Sequence, residues 1–459
     1  MGKLSLLLFF YPCLLFALVP ENFFQDDYLL IEKILHKEIL QNINVNSFEP
    51  KDKFTYYSTD PKSIVPDEFG VSPYFFPIVR FWFNIYTIYG SHHAVIHDKK
   101  DLKIIYEVID FTELGKSTLN KHTKHSIQNR LSLARIKKIK SLLLELGRKK
   151  KLSREAKELL KQIVKTGVSI PKSKKRRKSF FKKLSKNLRT QTGQKHHIEQ
   201  GLVNIIPFQL FLNQAVDRYK LPRSLLAMPF LESSFNIRAR SKVGATGIWQ
   251  FMRRIGRAFM VVNKSTDHRL NPVISTLGAL HLLRQNKQVV KRWDLAISAY
   301  NSGTKHIVRA RRKLKNRNIS LEQIFKQYKH PHFGFASQNF YASYLALVHA
   351  LAYRGQFYTK DSVTKYKALQ VNPKGLSLYV TKCSFTPGWF FNKLKKSSPD
   401  IHYLNTHLKN KKQVYPRGTL LVSDIKLNSK KYYRVKASQY TKRYPKNMYK
   451  FIRKQKCNL

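Results

Sequence analysis

Cysteine is scarce: Cys13, Cys383 and Cys457 are all that 459 residues contain. That excludes a disulfide-dense scaffold and any Cys-x-x-Cys metal or redox motif. No His-Glu-x-x-His occurs, and the doublets His92-His93 and His196-His197 have no partner at ligand spacing. No metal site and no cofactor are therefore expected. Acids are the second shortage, 27 Asp and Glu against 86 Lys and Arg. The net charge of +59 favours polyanionic surroundings: nucleic acid, anionic lipid headgroups or an acidic wall polymer. Long apolar runs are also missing, except at the start. Leu4 to Val19, after Met1-Gly2-Lys3, is apolar and short. As a helix it reaches about 24 Å, less than the roughly 30 Å of a bilayer core. Residues 1–20 thus read as an export signal or an N-terminal anchor. Export argues against nucleic acid as the physiological ligand. If the leader is removed, Cys383 and Cys457 remain, as one disulfide or as two thiols.

What is present is ample core material. Hydrophobic residues make up 42%, with 30 Phe and 24 Tyr, so two or three packed domains are expected. Residues 21–190 read as a mixed and helical region. Val95-Ile96-His97, a turn at Asp98 to Asp101, and Ile104 to Val108 form a strand, turn and strand. Ile127, Leu131, Ala134, Ile139, Leu142 and Leu146 recur at helical spacing, with Gly147 as a stop. A second helix is expected over Arg154 to Lys165 with Ser153 as its N-cap. Residues 172–189 hold ten basic residues and no acid, which reads as a linker or a solvated basic helix face. From about 360 to 459 apolar runs shorten and turn signals appear at Asn372-Pro373, Pro387-Gly388 and Pro416-Arg417-Gly418. That tail is expected to form a small separate basic module.

The acid shortage isolates one residue. Glu232 is the only Glu between positions 201 and 310, where Asp217, Asp267 and Asp294 face seventeen Lys and Arg. A carboxyl after an apolar run, with no second acid beside it, has two readings. It is a helix-end carboxylate paired with an arginine, or an acid kept protonated to give a proton to a leaving oxygen. Leu221-Pro222 should open a helix that Pro229 ends or kinks just before Glu232. Gly244 and Gly247 let backbone pass close to a ligand beside Trp249 and Gln250. Trp293 to Ser302 reads as a helix stopped by Gly303, placing Tyr300 and Asn301 in its last turn.

Taken in order, Glu232-Ser233, Gly247-Ile248-Trp249-Gln250, Ala299-Tyr300-Asn301-Ser302-Gly303 and Asn339-Phe340-Tyr341 resemble the four motifs of soluble lytic transglycosylase domains. The resemblance spans roughly residues 200 to 352 of an expected catalytic domain at 195–355. It implies a mainly α architecture: a lysozyme-like, goose-type helical catalytic domain, a mixed α/β N-terminal region and a small α+β C-terminal module. It also implies cleavage of peptidoglycan glycan strands between N-acetylmuramic acid and N-acetylglucosamine, leaving 1,6-anhydromuramoyl ends. Glu232 would act first as acid and then as base, while Ser233, Gln250, Tyr300, Asn301 and Tyr341 line the groove. The place implied is the cell envelope (periplasm), with peripheral or N-terminal membrane association. Nothing in the pattern specifies an oligomeric state.

The patterns are not followed throughout. Thr266 to Pro272 resembles a family Asp-Glu-Arg-x-Asp-Pro segment, with His268 where Glu is usual and Asn271 where Asp is usual. That puts a local salt bridge in question. In 360–459, Leu404-Asn405 and Tyr415 to Leu421 resemble a LysM module, with Thr406 in place of its proline. A hydrolytic lysozyme on the same fold, or an inactive wall-binding protein, would carry much of the same sequence.

Overall fold

The computed structural model describes residues 44–46, 52–148, 151–328, 330, 333–372 and 376–435. The leader, Cys13 and Cys457 lie outside them, and no helix among the described residues is long and apolar enough to cross a membrane. Contacts divide them into two units, one of 62–70 and 197–435, the other of 44–61 and 71–196.

In the second unit, helix α1 (Phe76–Thr87) precedes a hairpin of β2 (His93–Asp98) and β3 (Ile105–Asp110). Strand β1 (Asn44–Asn46) borders β3, and β4 (Leu188–Thr192) borders β2, giving an all-antiparallel order β1-β3-β2-β4. The turn forms where expected because Asp98 Oδ1 accepts the Lys100 and Asp101 N–H groups at 2.7 and 2.9 Å. Helices α2 (Lys121–Arg148), α3 (Arg154–Lys165) and α4 (Lys174–Asn187) follow, and two short helices, Phe54–Ser58 and Thr112–Lys116, also belong to the unit. Ser153 caps α3, its Oγ accepting the Ala156 N–H at 3.2 Å. Ile96, Tyr106, Ile139, Leu143, Leu159 and Phe181 share one core.

Two expectations change here. Residues 172–189 are helix and strand, not a linker, because Phe181 and Leu184 are buried while the lysines between them stay outside. Gly147 lies inside α2; a Cβ there would stand 3.3 Å from that of Phe181, so it admits α4 closely rather than stopping the helix.

The first unit is mainly helical. Its helices are α5 (Lys195–Ile205), α6 (Gln209–Arg218), α7 (Met228–Ser233), α8 (Arg253–Phe259), α9 (Pro272–Val290), α10 (Trp293–Ser302), α11 (Thr304–Lys313), α12 (Leu321–Gln327) and α13 (Phe335–Ala352). Helix α13 is buried along most of its length and packs against α7 and α10. Asn271 caps α9 by accepting the Ile274 N–H at 3.0 Å, with Pro272 in the first turn. Pro229 does not end a helix. A 3₁₀ turn at Arg223–Ala227 comes first, and Pro229 then opens α7, where its missing N–H costs nothing.

The tail pairs β5 (Ser377–Thr381) with β6 (Leu420–Ser423) and β7 (Tyr432–Arg434), order β6-β5-β7. Helices α14 (Pro387–Leu394) and α15 (Ile401–Leu404) lie between β5 and β6 in the chain. It belongs to the same unit as the helices and bonds to them directly, so it is not separate. Cys383 is disulfide-bonded.

Candidate active site

Helix α7 ends sharply just past Glu232. Ser234 and Phe235 both take left-handed backbone (φ 50° and 55°), and their N–H groups close onto the Phe230 and Pro229 carbonyls. Two non-glycine residues in that region store strain, as chains do at functional turns. Phe230 and Phe235 pack edge to face at 4.9 Å and hold the turn from inside. Glu232 is left on the last turn, buried, with Oε2 lacking a hydrogen-bond partner. No ion pair to it occurs among the described residues, so the arginine-paired alternative is not what forms. Burial alone drives its carboxyl well above the ordinary range, because a charge there would lack both water and a counter-ion.

The loop 244–251 covers this turn. Gly247 has φ +78°, and a Cβ would come within 1.7 Å of the Arg269 carbonyl oxygen. Its freedom therefore serves approach to Arg269 rather than to a ligand. Ser233 Oγ donates to the Ile248 carbonyl at 3.1 Å, fastening α7 to the loop. Tyr300 OH donates to the Trp249 carbonyl at 2.7 Å, fastening α10 to the same loop. Its ring stands 6.3 Å from Trp249 and 6.1 Å from Phe251. Burial, then the neighbouring Glu232 charge, pushes the Tyr300 phenol up. Trp249 is fully buried with Nε1 donating to Thr276 Oγ1 at 2.7 Å, which makes it core rather than a sugar platform.

Glu232, Ser233 and Tyr300 thus converge on one loop. The other expected residues sit differently. The Gln250 amide turns into its own loop, donating to the Gly247 carbonyl at 2.8 Å. Asn301 Oδ1 accepts from Ser337 Oγ at 3.1 Å and ties α10 to α13. Tyr341 stacks on Tyr344 at 6.2 Å, and its charged neighbours are Asp294, Arg292 and Glu68. Asp294 and Arg292 stand at the start of α10, and Tyr341 lies on α13, which packs against both α7 and α10.

One contributor was missed. Arg269, nearly fully buried, pairs with Asp267 at 2.9 Å, and its Nη1 donates to the Gly244 and Phe251 carbonyls, both at 2.9 Å. It clasps the two ends of the loop. The Asp-x-Arg spacing was the available signal, discounted because the neighbouring positions depart from the pattern. The salt bridge that forms joins Asp267 and Arg269, neither of which departs from the pattern.

Spacing also left His92 and His93 without partners; the fold brings Asp110 to them, at 4.0 and 3.9 Å from their Nε2 atoms. The donor set fits a metal poorly. His93 Nδ1 already accepts the Gly90 N–H at 3.1 Å, so the proton of its neutral ring sits on Nε2, where a cation would need a lone pair.

A helical domain with one buried, partnerless carboxylic acid behind a clasped glycine loop defines a class. Residues 209–323 match the transglycosylase SLT domain family, and the chain carries such a domain in its lysozyme-like helical form. Among known proteins it resembles membrane-bound lytic murein transglycosylase D of Escherichia coli, from strain K12 and from strain O6:H1. Each is 30% identical over 143 residues, covering 29% of this chain and 32% of the relative. The chain thus spans about a third of the length of these relatives.

Proposed function

We propose that this protein is an exported peptidoglycan lytic transglycosylase with Glu232 as its catalytic acid and base. The observation that carries the reading is the Glu232 carboxyl itself, buried without a counter-ion at the tip of α7. Retaining or inverting hydrolysis usually employs two carboxyls across the scissile bond. No second acid stands beside Glu232 in the sequence, and the family resemblance implies that the substrate brings its own nucleophile.

In this mechanism Glu232 gives its proton to the oxygen linking N-acetylmuramic acid to N-acetylglucosamine, and the bond from that oxygen to the muramic anomeric carbon breaks. The muramic 6-hydroxyl oxygen bonds to the same carbon, and its proton passes to the Glu232 carboxylate. The acid is restored, no water is consumed, and a 1,6-anhydromuramoyl end results. A raised pKa keeps the acid loaded near neutral pH. Tyr300 and Ser233 hold the loop that walls the site. Gln250, Asn301 and Tyr341 are assigned to its wider groove on motif position alone. Peptide carboxylates on the wall polymer suit a chain of net charge +59. The leader-like start and the membrane-bound relatives support a place in the cell envelope.

The test is mass analysis of products from purified sacculi. Anhydro ends, absent with Glu232→Gln, are expected; reducing muramic ends would mean hydrolysis, and equal products from both proteins would mean Glu232 is not the acid.

A further inference from the structure

Residues that break the family patterns, His268 and Asn271 in one segment and Thr406 far along the chain, meet in space. Asn271 Nδ2 donates to the Leu404 carbonyl at 2.7 Å and lies 3.1 Å from His407 Nδ1. His407 Nε2 stands 2.9 Å from the Leu420 carbonyl, so that nitrogen carries the ring proton and Nδ1 accepts from Asn271. Thr406 Oγ1 donates to the Leu270 carbonyl at 2.8 Å. The His268 and His407 rings meet edge to face at 5.2 Å. The departures at 271 and 406 are what this contact needs. An aspartate at 271 only accepts, and would press its charge against a carbonyl oxygen. A proline at 406 has no hydroxyl to give.

The contact widens from there. Asp267 N–H donates to the His407 carbonyl at 2.8 Å, and Lys409 N–H and Tyr415 OH both donate to the Ser265 carbonyl, at 3.0 and 2.7 Å. The C-terminal module therefore grips residues 265–271. From that segment Arg269 reaches both ends of the 244–251 loop, to which Ser233 and Tyr300 are fastened.

We infer that the C-terminal module is the platform of the active-site loop, with Asn271 and Arg269 as positioning residues that transmit its hold to the loop over Glu232. The term "active-site" rests on the function proposed above. The module contributes no reacting group, and its role here is mechanical: a small displacement of a positioning loop is enough to cost a large factor in rate.

The experiment uses the full chain carrying Asn271→Asp and, as a milder change, Thr406→Val with Thr406→Ser restoring the hydroxyl. Hydrogen exchange is read at the Thr246, Gly247 and Gln250 amides, which are bonded to the Phe251, Ala239 and Gly247 carbonyls. Release of anhydro-ended products gives kcat and KM in parallel. Exchange at those amides should rise about tenfold in Asn271→Asp and in Thr406→Val, kcat should fall by about tenfold or more, and Thr406→Ser should reverse both. If protection of β6 falls while those three amides exchange as in the wild type, the module is an appendage and the inference is overturned. Should the wild type release no anhydro ends, the proposed function fails, and the exchange result still decides the platform.

Discussion

Two of the carboxyls buried in the helical unit, Asp267 and Glu232, meet opposite fates. Asp267, 2% exposed, sits in a turn where the Arg269 fork meets both its oxygens at 2.9 Å. Glu232, 9% exposed, sits at the tip of α7 with one oxygen bonded to nothing. In a chain with three bases for every acid, a buried carboxyl with no base beside it and one oxygen unbonded is the unusual outcome. The pair at 267–269 fixes geometry. The lone acid at 232 is held neutral, which makes it a store for one proton. Burial alone does not distinguish a structural acid from a reactive one; the partner does.

The comparison breaks first at Glu232→Gln, which should lower release of anhydro ends by about a thousandfold, within the range for a lost general acid. The same change should stabilise the fold as pH rises. Glu232 has its folded pKa above its unfolded one, so the folded state keeps a proton that the unfolded chain releases. Wild-type stability therefore falls above the ordinary carboxylate range. Melting points of wild type and variant should separate at about pH 8 in favour of the variant and converge at about pH 4.

Asp267→Asn should behave in the opposite sense. It strands the buried Arg269 charge, and unfolding in urea should show a loss of about 3–5 kcal/mol. Next comes acid sensitivity. Burial holds His407 down at about 4 and also lowers His268, whereas unfolded histidine titrates near about 6.5. Their contribution is complete above about pH 6.5 and is lost as pH falls from there toward 4. Thermal melts across that window should fall less steeply in Asn271→Asp, where the docking is already weakened. Tyr300→Phe should cost about 1–2 kcal/mol by leaving the Trp249 carbonyl unbonded, and should lower kcat about tenfold. Smallest of all, Ser153→Ala should cost about 1 kcal/mol, read by urea unfolding, by uncapping α3 in the other unit.

Local chemistry made much of this legible. The Ser153 cap, the Asp98 turn and the Gly303 stop lie within a few residues of what they act on, and the chain forms them as read. Pro229 misled because a proline that ends one turn is the same residue that opens the next. Of the two readings of the run 172–189, the basic helix face is the one that forms, because Phe181 and Leu184 anchor it.

The order of motifs, the isolation of Glu232 among basic residues and the periodicity of the helices are properties of the chain alone. They sufficed for a helical domain of the lysozyme-like kind and for setting Glu232 apart as the candidate acid. Which residues pair across long separations was decided only in three dimensions: Arg269 on the loop ends, Asn271 and Thr406 against the C-terminal module, Asp110 beside His93. A hydrogen bond requires an approach of about 3 Å, and sequence spacing says nothing of distance once the chain has turned back on itself.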